Sequence, residues 1–488
     1  MISFFRHVQT NFSTKANMQI NRVCQHFDTP YFRYFVTFYP NPTIQTILHA
    51  CSEKVLYFSC ISHFFPHFSP NLNFYLHISK KTLPLHAKLY RCNILDISNM
   101  KHLVIRHFGP IEEVNIELKR INVIIGPQSS GKSTVLKVAC FCDWLERQIE
   151  LTQNPKMFCQ EQVLHDNLIV FHKLEGYKNP ESYIFYENDA LLFEYSEKSK
   201  KFRFEWKNKR WDYKRSKICY IPAERNLLAT IPNWYQVSFS KDNILDFLKD
   251  WEFARKNFTK KTQLMSLPFQ YQYNQSSRTD KIVLKSGAEI FLTNASSGLQ
   301  SLTPLYIMIN YLTDAYFKET QNTVEEYMIS DNLKNNVKIE CTNKSIEQQE
   351  EIIKNIVTAY RSDLFIEEPE AHLFPTTQKE FVYTLMAMLN ARKKHHCFIA
   401  THSPYILTSF NNLILAAAKS KESKDIAKKV YERIPSRMKI NFNEVAAFEM
   451  KDGFAYSIMD KDAQLIQAEA IDTVSEEISE DFDYLLNL

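Results

Sequence analysis

The chain has 488 residues, 45% of them apolar and 23% charged, with a formal net charge of +4. That length allows several domains of the usual size, roughly 100 to 200 residues, and the apolar fraction excludes a chain too polar to bury a core. No apolar stretch reaches the roughly 18 residues of a membrane span, and the ten cysteines show no regular framework, so we predict a cytoplasmic protein with reduced thiols and no membrane partner.

The first 99 residues differ in composition from the rest. They contain no glycine and only three acidic residues against nine basic ones. A strand-like apolar run begins at Met100, so one interpretation is that translation starts there and that residues 1–99 are an atypical extension from a misassigned start. The other interpretation is a genuine basic, aromatic-rich arm that touches nucleic acid.

A phosphate-binding motif follows the β-branched run Ile121–Ile125. The residues after this predicted strand have the spacing Gly-x-x-x-x-Gly-Lys-Ser, and apolar residues at helical spacing come next. The backbone of such a loop curls so that its N–H groups and the start of the next helix face phosphate oxygens. We predict that Lys132 reaches the β and γ oxygens of a nucleotide and that Ser133 offers its hydroxyl to Mg²⁺. The residues predicted to bind the nucleotide here are Gly126, Ser129, Ser130, Gly131, Lys132, Ser133 and Thr134.

Residues 151–285 are predicted to be an inserted subdomain. Strand-like segments lie at 182–186, 191–195 and 202–206. The last belongs to a run of Lys, Arg and aromatic residues, 198–217. This run favours either a nucleic-acid surface with bases stacked on its rings, or an amphipathic sheet with a basic outer face.

Three later segments carry polar residues of kinds that act on phosphates. Ser297 and Gly298 precede an apolar helix, which makes them a second anion-binding helix start or a plain N-cap. Glu367 and Glu368 end a short apolar strand, where one carboxylate can hold the water shell of Mg²⁺ and the other can polarise an attacking water. His402 ends another apolar strand, where its imidazole can hydrogen-bond a γ-phosphate. Taken alone, each of the three also has a purely structural interpretation.

In this order along one chain, the four motifs resemble those of ABC-type ATPases of the SMC-like and RecF-like branch, and within it the GajA-like members of the OLD family. The resemblance covers residues 100–488, and residues 220–226 are similar to the segment that carries the Q-loop. It implies an α/β fold, namely a P-loop NTPase with an ABC-type ATPase head, a mixed sheet and an inserted α+β subdomain.

The predicted domain organisation follows from the positions of the motifs. After the extension, residues 100–150 form an N-terminal lobe with the phosphate loop, and residues 151–285 form the insertion with the Q-loop-like segment. Residues 286–460 form a C-terminal lobe with the three later motifs. An acidic helix is predicted within residues 461–488, from Ala470 to Leu488. We expect its apolar face to dock on its own domain, or alternatively to be a docking site for a partner. That face consists of Ile471, Val474, Ile478, Phe482 and Leu485.

The resemblance also implies a role for each motif residue. Lys132 and Ser133 would bind ATP and Mg²⁺, with Glu367 in the Walker B metal role. Glu368 would be the general base and His402 the switch histidine.

Ser297 and Gly298 would act in trans, on ATP held by a second subunit. Two chains would then enclose two ATP molecules head to tail, as a homo-oligomer that opens when phosphate is lost. The sequence departs from the family pattern at Glu224, which stands where the Q-loop usually has Gln.

OLD-family proteins carry a Toprim nuclease domain after the ATPase, whereas only 86 of the 488 residues follow His402 here. We therefore expect any nuclease to be a separate Toprim-type effector, as in bacterial anti-phage systems such as PARIS, where the ATPase holds the effector until infection. A RecF-like or SMC-like ATPase of DNA repair or recombination is the alternative. A P-loop kinase is a third possible function, although it gives Ser297, Gly298 and His402 no role in the reaction.

Overall fold

The computed structural model describes residues 101–231, 233–319, 331–392, 394–467 and 479–486. Residues 1–99 and the proposed start at Met100 lie outside this part of the chain. Within the described residues, no helix is both long and apolar enough to cross a bilayer. The cysteines of the described residues are free thiols, namely Cys140, Cys142, Cys159, Cys219, Cys341 and Cys397.

The described secondary structure alternates between strands and helices in the way typical of α/β proteins. The strands are β1 Lys101–Phe108, β2 Ile111–Leu118, β3 Ile121–Ile125, β4 Lys178–Glu187, β5 Leu191–Ser196, β6 Lys201–Trp206, β7 Ser216–Ile221, β8 Thr262–Gln263, β9 Phe269–Asn274, β10 Thr279–Leu284, β11 Glu289–Phe291, β12 Arg361–Glu367, β13 His396–Thr401, β14 Val445–Lys451, β15 Phe454–Ser457, β16 Met459–Asp460 and β17 Leu465–Ile466. The helices are α1 Lys132–Thr152, α2 Pro155–Phe158, α3 Glu161–Leu164, α4 Leu227–Thr230, α5 Asn243–Arg255, α6 Ser297–Asn310, α7 Tyr316–Glu319, α8 Asp331–Glu340, α9 Ile346–Val357, α10 Pro375–Leu389, α11 Pro404–Lys419 and α12 Lys424–Arg433.

One mixed sheet of eleven strands organises this part of the chain, in the order β6-β5-β4-β1-β2-β15-β14-β3-β13-β12-β7. Strands β14, β3, β13, β12 and β7 run parallel to one another, whereas β6, β5, β4, β1 and β2 pair antiparallel. Strand β15 joins the two halves, since it is antiparallel to β14 and parallel to β2. The predicted α/β fold class with a mixed sheet is confirmed.

The parallel half of the sheet is buried on both faces because side chains alternate across each strand. In β3, Ile121, Val123 and Ile125 point into a core that also contains residues of α5, α6, α10 and α11. Ile124 points to the opposite face, into a second core that contains Val135, Val138 and other residues of α1. Both cores therefore hold β3 in place, and β3 positions the loop that follows it.

The strands of the insertion belong to two different sheets. Its first three strands, β4, β5 and β6, extend the antiparallel half of the main sheet, since β4 pairs with β1 and places Ile184 opposite Ile105. Its later strands, β8 to β10, form a separate four-stranded antiparallel sheet together with β11, which follows the insertion. Tyr271 and Ile282 of that sheet are fully buried in the same core as α5 and α6.

The basic, aromatic run 198–217 contributes to the sheet and to packing. Phe202, Phe204 and Trp206 pack against the core beneath β6. Most of its cations pair with carboxylates. The Arg210 guanidinium lies over the rings of Trp206 and Trp211, 3.8 and 4.4 Å from the ring centres. Rings that pack inward are not free to stack on bases, so the geometry favours the amphipathic-sheet interpretation.

The end of the described chain differs from the sequence prediction. Residues 461–467 belong to a turn and to β17, so the described helix is shorter than the 461–488 segment and spans 479–486. Phe482 and Leu485, expected on its docking face, are 61% and 65% exposed. These two side chains are thus largely exposed. The rest of the predicted face, between Ile471 and Ile478, lies outside the described residues, so docking of the helix stays a prediction.

Candidate phosphate-binding site

The parallel strands bring the separate sequence motifs to one edge of the sheet. In the pairing register, Ile125 at the end of β3 lies opposite Thr401 at the end of β13, and Ala400 lies opposite Glu367 at the end of β12. Carboxyl ends of parallel strands face the same way, and open α/β sheets bind ligands beyond that edge. The phosphate loop, the carboxylate pair and His402 therefore meet at this edge.

The loop itself is shaped by two glycines. Gly126 has φ 154°, and a Cβ at this position would lie 2.5 Å from the carbonyl oxygen of Met450, so the loop can approach β14 closely only without a side chain. Gly131 has φ 102° and is the N-cap of α1, whose first turn receives no side-chain cap. The N–H groups of that turn thus face the concave side of the loop, where an anion would be stabilised.

Lys132 begins α1 and is almost fully buried at 5% exposure. Its Nζ donates to the carbonyl oxygens of Gly126 and Pro127, at 2.9 and 2.6 Å. Burial lowers the pKa of Lys132 to about 8, and the nearby Glu368 and Glu370 carboxylates oppose that shift. Lys132 is thus a cation within electrostatic reach of the acidic segment, poised to lose its proton only slightly above neutral pH.

The two predicted carboxylates differ in environment. Glu367 is 6% exposed, and its Oε2 accepts the backbone N–H of Ala223 at 3.3 Å. Glu368 is the first residue after β12 and has a left-handed backbone with φ 40°, which for a non-glycine residue costs about 1–3 kcal/mol. Its N–H donates to the Ala400 carbonyl oxygen at 2.8 Å, and its side chain is 42% exposed. Glu367 is thus fixed by the fold, and Glu368 projects from a strained turn.

His402 lies beside the exposed carboxylate. Its Nε2 is 3.5 Å from Oε1 of Glu368, and its backbone N–H donates to Oε1 of Glu370 at 2.6 Å. The other oxygen of Glu370, Oε2, is buried and accepts no hydrogen bond from any described residue. Sequence reasoning assigned no role to Glu370, although its place two residues after the carboxylate pair was a signal for one.

Arg225 is a second residue that the sequence did not single out. It lies in the 3₁₀ turn Ala223–Asn226 after β7 and is 0% exposed, whereas Glu224, considered as the Q-loop residue, is exposed. Its guanidinium donates to the carbonyl oxygens of Glu367 and Glu368, at 2.9 and 2.8 Å. An isolated Arg between an apolar strand and an apolar helix was the available signal.

Ser297 and Gly298 form the start of α6, as their sequence suggested. Ser297 is exposed, and a Cβ at Gly298 would lie 3.0 Å from the carbonyl oxygen of His372, in the segment after the carboxylate pair. Among the described residues, no hydrogen bond joins Ser297 or Gly298 to residues 126–134. This helix start is therefore presented to solvent beside the acidic segment.

The site also suits a magnesium ion that arrives with a nucleotide. In the described part of the chain, no group of three or more His, Cys, Asp and Glu side chains can hold a metal by itself. Mg²⁺ in nucleotide sites is usually held by one or two protein oxygens together with phosphates and waters. The hydroxyl of Ser133, the carboxylate of Glu367 and the unpartnered Oε2 of Glu370 supply hard oxygen ligands of that kind.

No known family model matches the sequence, and no curated protein matches it either. Solved structures similar to the chain include an SMC head domain from Thermotoga maritima, with a TM-score of 0.33 and 11% identity over 74% of this chain and 98% of that one. The recombination mediator RecF gives 0.25 and 10% identity over 74% of this chain and 99% of that one. An ATP-binding cassette of an ABC transporter gives 0.27 and 12% identity over 73% of this chain and 89% of that one. Similarities of this size do not establish a shared activity or partner.

Proposed function

We propose that this protein is an ABC-type ATPase that closes head to tail around ATP and controls a separate effector, a nuclease of prokaryotic anti-phage defence. The observation that carries the proposal is the meeting of Lys132, the Glu367–Glu368 pair and His402 at one sheet edge, although 270 residues separate the first from the last. A buried cation beside the loop suits a triphosphate, and an exposed carboxylate suits an attacking water.

Each residue of the site has a separate role in the proposed hydrolysis. The loop backbone and Lys132 bind the phosphates, and the lysine charge offsets the charge that develops on the γ-phosphoryl oxygens. Glu368 accepts a proton from a water molecule while the oxygen of that water attacks the γ-phosphorus. The bond from that phosphorus to the β,γ-bridging oxygen breaks, and ADP and phosphate leave. His402 donates a hydrogen bond to the γ-phosphate and orients the Glu368 carboxylate 3.5 Å away.

Ser133 and Glu367 hold Mg²⁺ in this proposal. When bound, the ion would neutralise negative charge on the oxygens of the β- and γ-phosphates. The fixed position of Glu367, buried and hydrogen-bonded to Ala223, suits a ligand that must not move during the reaction.

A second copy completes the site. Ser297 and Gly298 lie at an exposed helix start that makes no hydrogen bond to the loop of its own chain within the described residues. A helix start of this kind binds an anion presented from outside. Two chains related by a two-fold axis can each offer it to the other's γ-phosphate, which makes the nucleotide part of the interface.

The described residues after His402 contribute to the main sheet and to a turn. Strands β14 and β15 complete the ATPase sheet. Asp460, the first residue of the Asp-x-Asp sequence, accepts the backbone N–H groups of Asp462 and Ala463 in a turn. That carboxylate supports a turn between β16 and β17. The anti-phage role itself rests on the resemblance to OLD-family ATPases.

Replacement of the base tests the proposed function directly. The Glu368→Gln variant should bind ATP with wild-type affinity but hydrolyse it about 10² to 10⁴ times more slowly, because only the proton acceptor is lost. Trapped ATP should hold it as a dimer, measured by light scattering during size-exclusion chromatography. Glu350→Gln, an exposed substitution on α9, is the matched control and should turn over normally and dissociate.

Wild-type turnover by Glu368→Gln would show that Glu368 is not the base, and a monomer with bound ATP would exclude closure around the nucleotide. The same trapped variant, purified from its native host, should retain a nuclease. Stimulation of the ATPase by DNA ends without any companion would instead favour the repair or recombination function.

A further inference from the structure

Arg225 joins three separate segments of the site through their backbone. Its Nε donates to the carbonyl oxygen of Ser301 at 3.2 Å, and its Nη1 donates to that of Pro222 at 3.2 Å. Its Nη1 and Nη2 also donate to the carbonyl oxygens of Glu367 and Glu368, at 2.9 and 2.8 Å. One side chain therefore touches the end of β7, the acidic segment and α6.

This arrangement depends on the shape of the guanidinium group. Its donors lie in a rigid planar fork, so bonds in several directions fix the relative positions of the acceptors, whereas a lysine ammonium is a single point. Burial lowers the pKa of Arg225 to about 10, partly opposed by Glu370, Glu368 and Glu367. The group therefore remains charged at neutral pH, and its bonds to carbonyl oxygens are of the stronger, charge-assisted kind.

One end of this connection bears on the general base of the proposed function. Glu368 sits in a left-handed conformation with φ 40°, and such strain persists only where neighbouring contacts enforce it. Its N–H is held by Ala400, and its carbonyl oxygen is held by Arg225. The direction in which the Glu368 carboxylate points therefore depends on where Arg225 lies.

The other end bears on the exposed helix start. Ser301 is one helical turn beyond Ser297. A translation or rotation of α6 therefore moves the Ser301 carbonyl oxygen, and the hydrogen bond from Arg225 makes the Arg225 side chain move with it. The helix start also lies close to the acidic segment at His372, so α6 contacts that segment directly as well as through Arg225. Both ends of α6's first turn are thus linked to the residues after β12.

We infer that Arg225 is a positioning residue that couples two events. When Ser297 and Gly298 bind the ATP held by the partner, Arg225 transmits the change to Glu368, which acts on the ATP held by its own chain. The inference rests on the proposed function and deepens it, since it predicts that each of the two ATP sites senses the occupancy of the other. Hydrolysis should accordingly be cooperative in ATP concentration.

Replacement of Arg225 by methionine tests the inference in the full-length chain. Arg225→Met has a similar volume but no donors, so kcat should fall about 10²-fold, as expected for a misplaced catalytic group. The affinity for ATP should stay within about twofold because the phosphate loop is untouched, and the Hill coefficient should fall to 1. Arg225→Lys keeps the charge and a subset of the bonds, so it should recover part of kcat and remains informative should the methionine variant not fold.

Ser301→Ala is the matched control, since it changes the side chain at the helix contact but retains the carbonyl acceptor. It should leave kcat and cooperativity unchanged. An unaltered kcat and Hill coefficient in Arg225→Met, or a wild-type Hill coefficient of 1, would overturn the inference. So would a loss of ATP affinity in parallel with kcat, which would make Arg225 a general structural residue. Failure of the proposed function is a separate result, because the wild-type chain would then not hydrolyse ATP.

Discussion

Nucleotide affinity should fall above pH 8 because of one buried lysine. Lys132 is 5% exposed, and burial lowers its pKa to about 8. A bound triphosphate stabilises the charged lysine, so its pKa in the complex is higher than in the free protein. Between these two values, binding ATP requires the uptake of a proton, and affinity declines as pH rises.

The size of the decline follows from the free-protein value. One pH unit above a pKa of 8, about a tenth of the lysine is charged, which costs about 1.4 kcal/mol of binding free energy. The dissociation constant for ATP should therefore be about tenfold larger at pH 9 than at pH 7. The effect should continue at about tenfold per unit until the pKa of the complex is reached.

Isothermal titration calorimetry at constant ionic strength measures both the affinity and the proton uptake. Lys132→Arg is the matched control, since a guanidinium stays charged throughout this range and its pH profile should be flat. Glu368→Gln removes a carboxylate that raises the pKa of Lys132. The ATP affinity of this variant should therefore begin to decline at a lower pH than that of the wild type. A wild-type dissociation constant that does not change between pH 7 and 9.5 would refute the reasoning.

Two further predictions concern the dimer and the fold. Ser297→Arg should bind ATP but lose hydrolysis. When mixed with Lys132→Ala it should recover at most about a quarter of wild-type activity, because half of the dimers are mixed and each has one intact composite site. Coupling between the two sites through Arg225 lowers that recovery further, so assembly is the decisive readout: a mixture that forms no ATP-dependent mixed dimer contradicts the trans arrangement. Asp363→Asn should lower the melting temperature, since buried Asp363 pairs with Arg361 at 3.0 Å and with Lys101 at 3.6 Å, and breaking such a pair costs about 3–5 kcal/mol. Circular dichroism compares it with the exposed control Asp425→Asn, and equal melting temperatures would count against it.

The sequence by itself determined the parts of this protein that are local in the chain. The phosphate loop is contiguous, and its spacing identifies it without any knowledge of the fold. Strand β3 was predicted from its run of β-branched residues, which only Asn122 interrupts, since a strand buried on both faces needs no polar alternation. The acidic strand end at Glu367 and the strand end at His402 were located by the same rule.

Only the tertiary structure decided which of these segments meet and which neighbours support them. The order of strands places β13 between β3 and β12, and nothing in the sequence of one strand specifies which strand will pair with it. Glu224 and Arg225 are adjacent in sequence, and only the direction of a four-residue 3₁₀ turn exposes one and buries the other. Such a turn is too short to show a periodic pattern, so the residue that connects α6 with the carboxylate pair is visible only once the chain is folded.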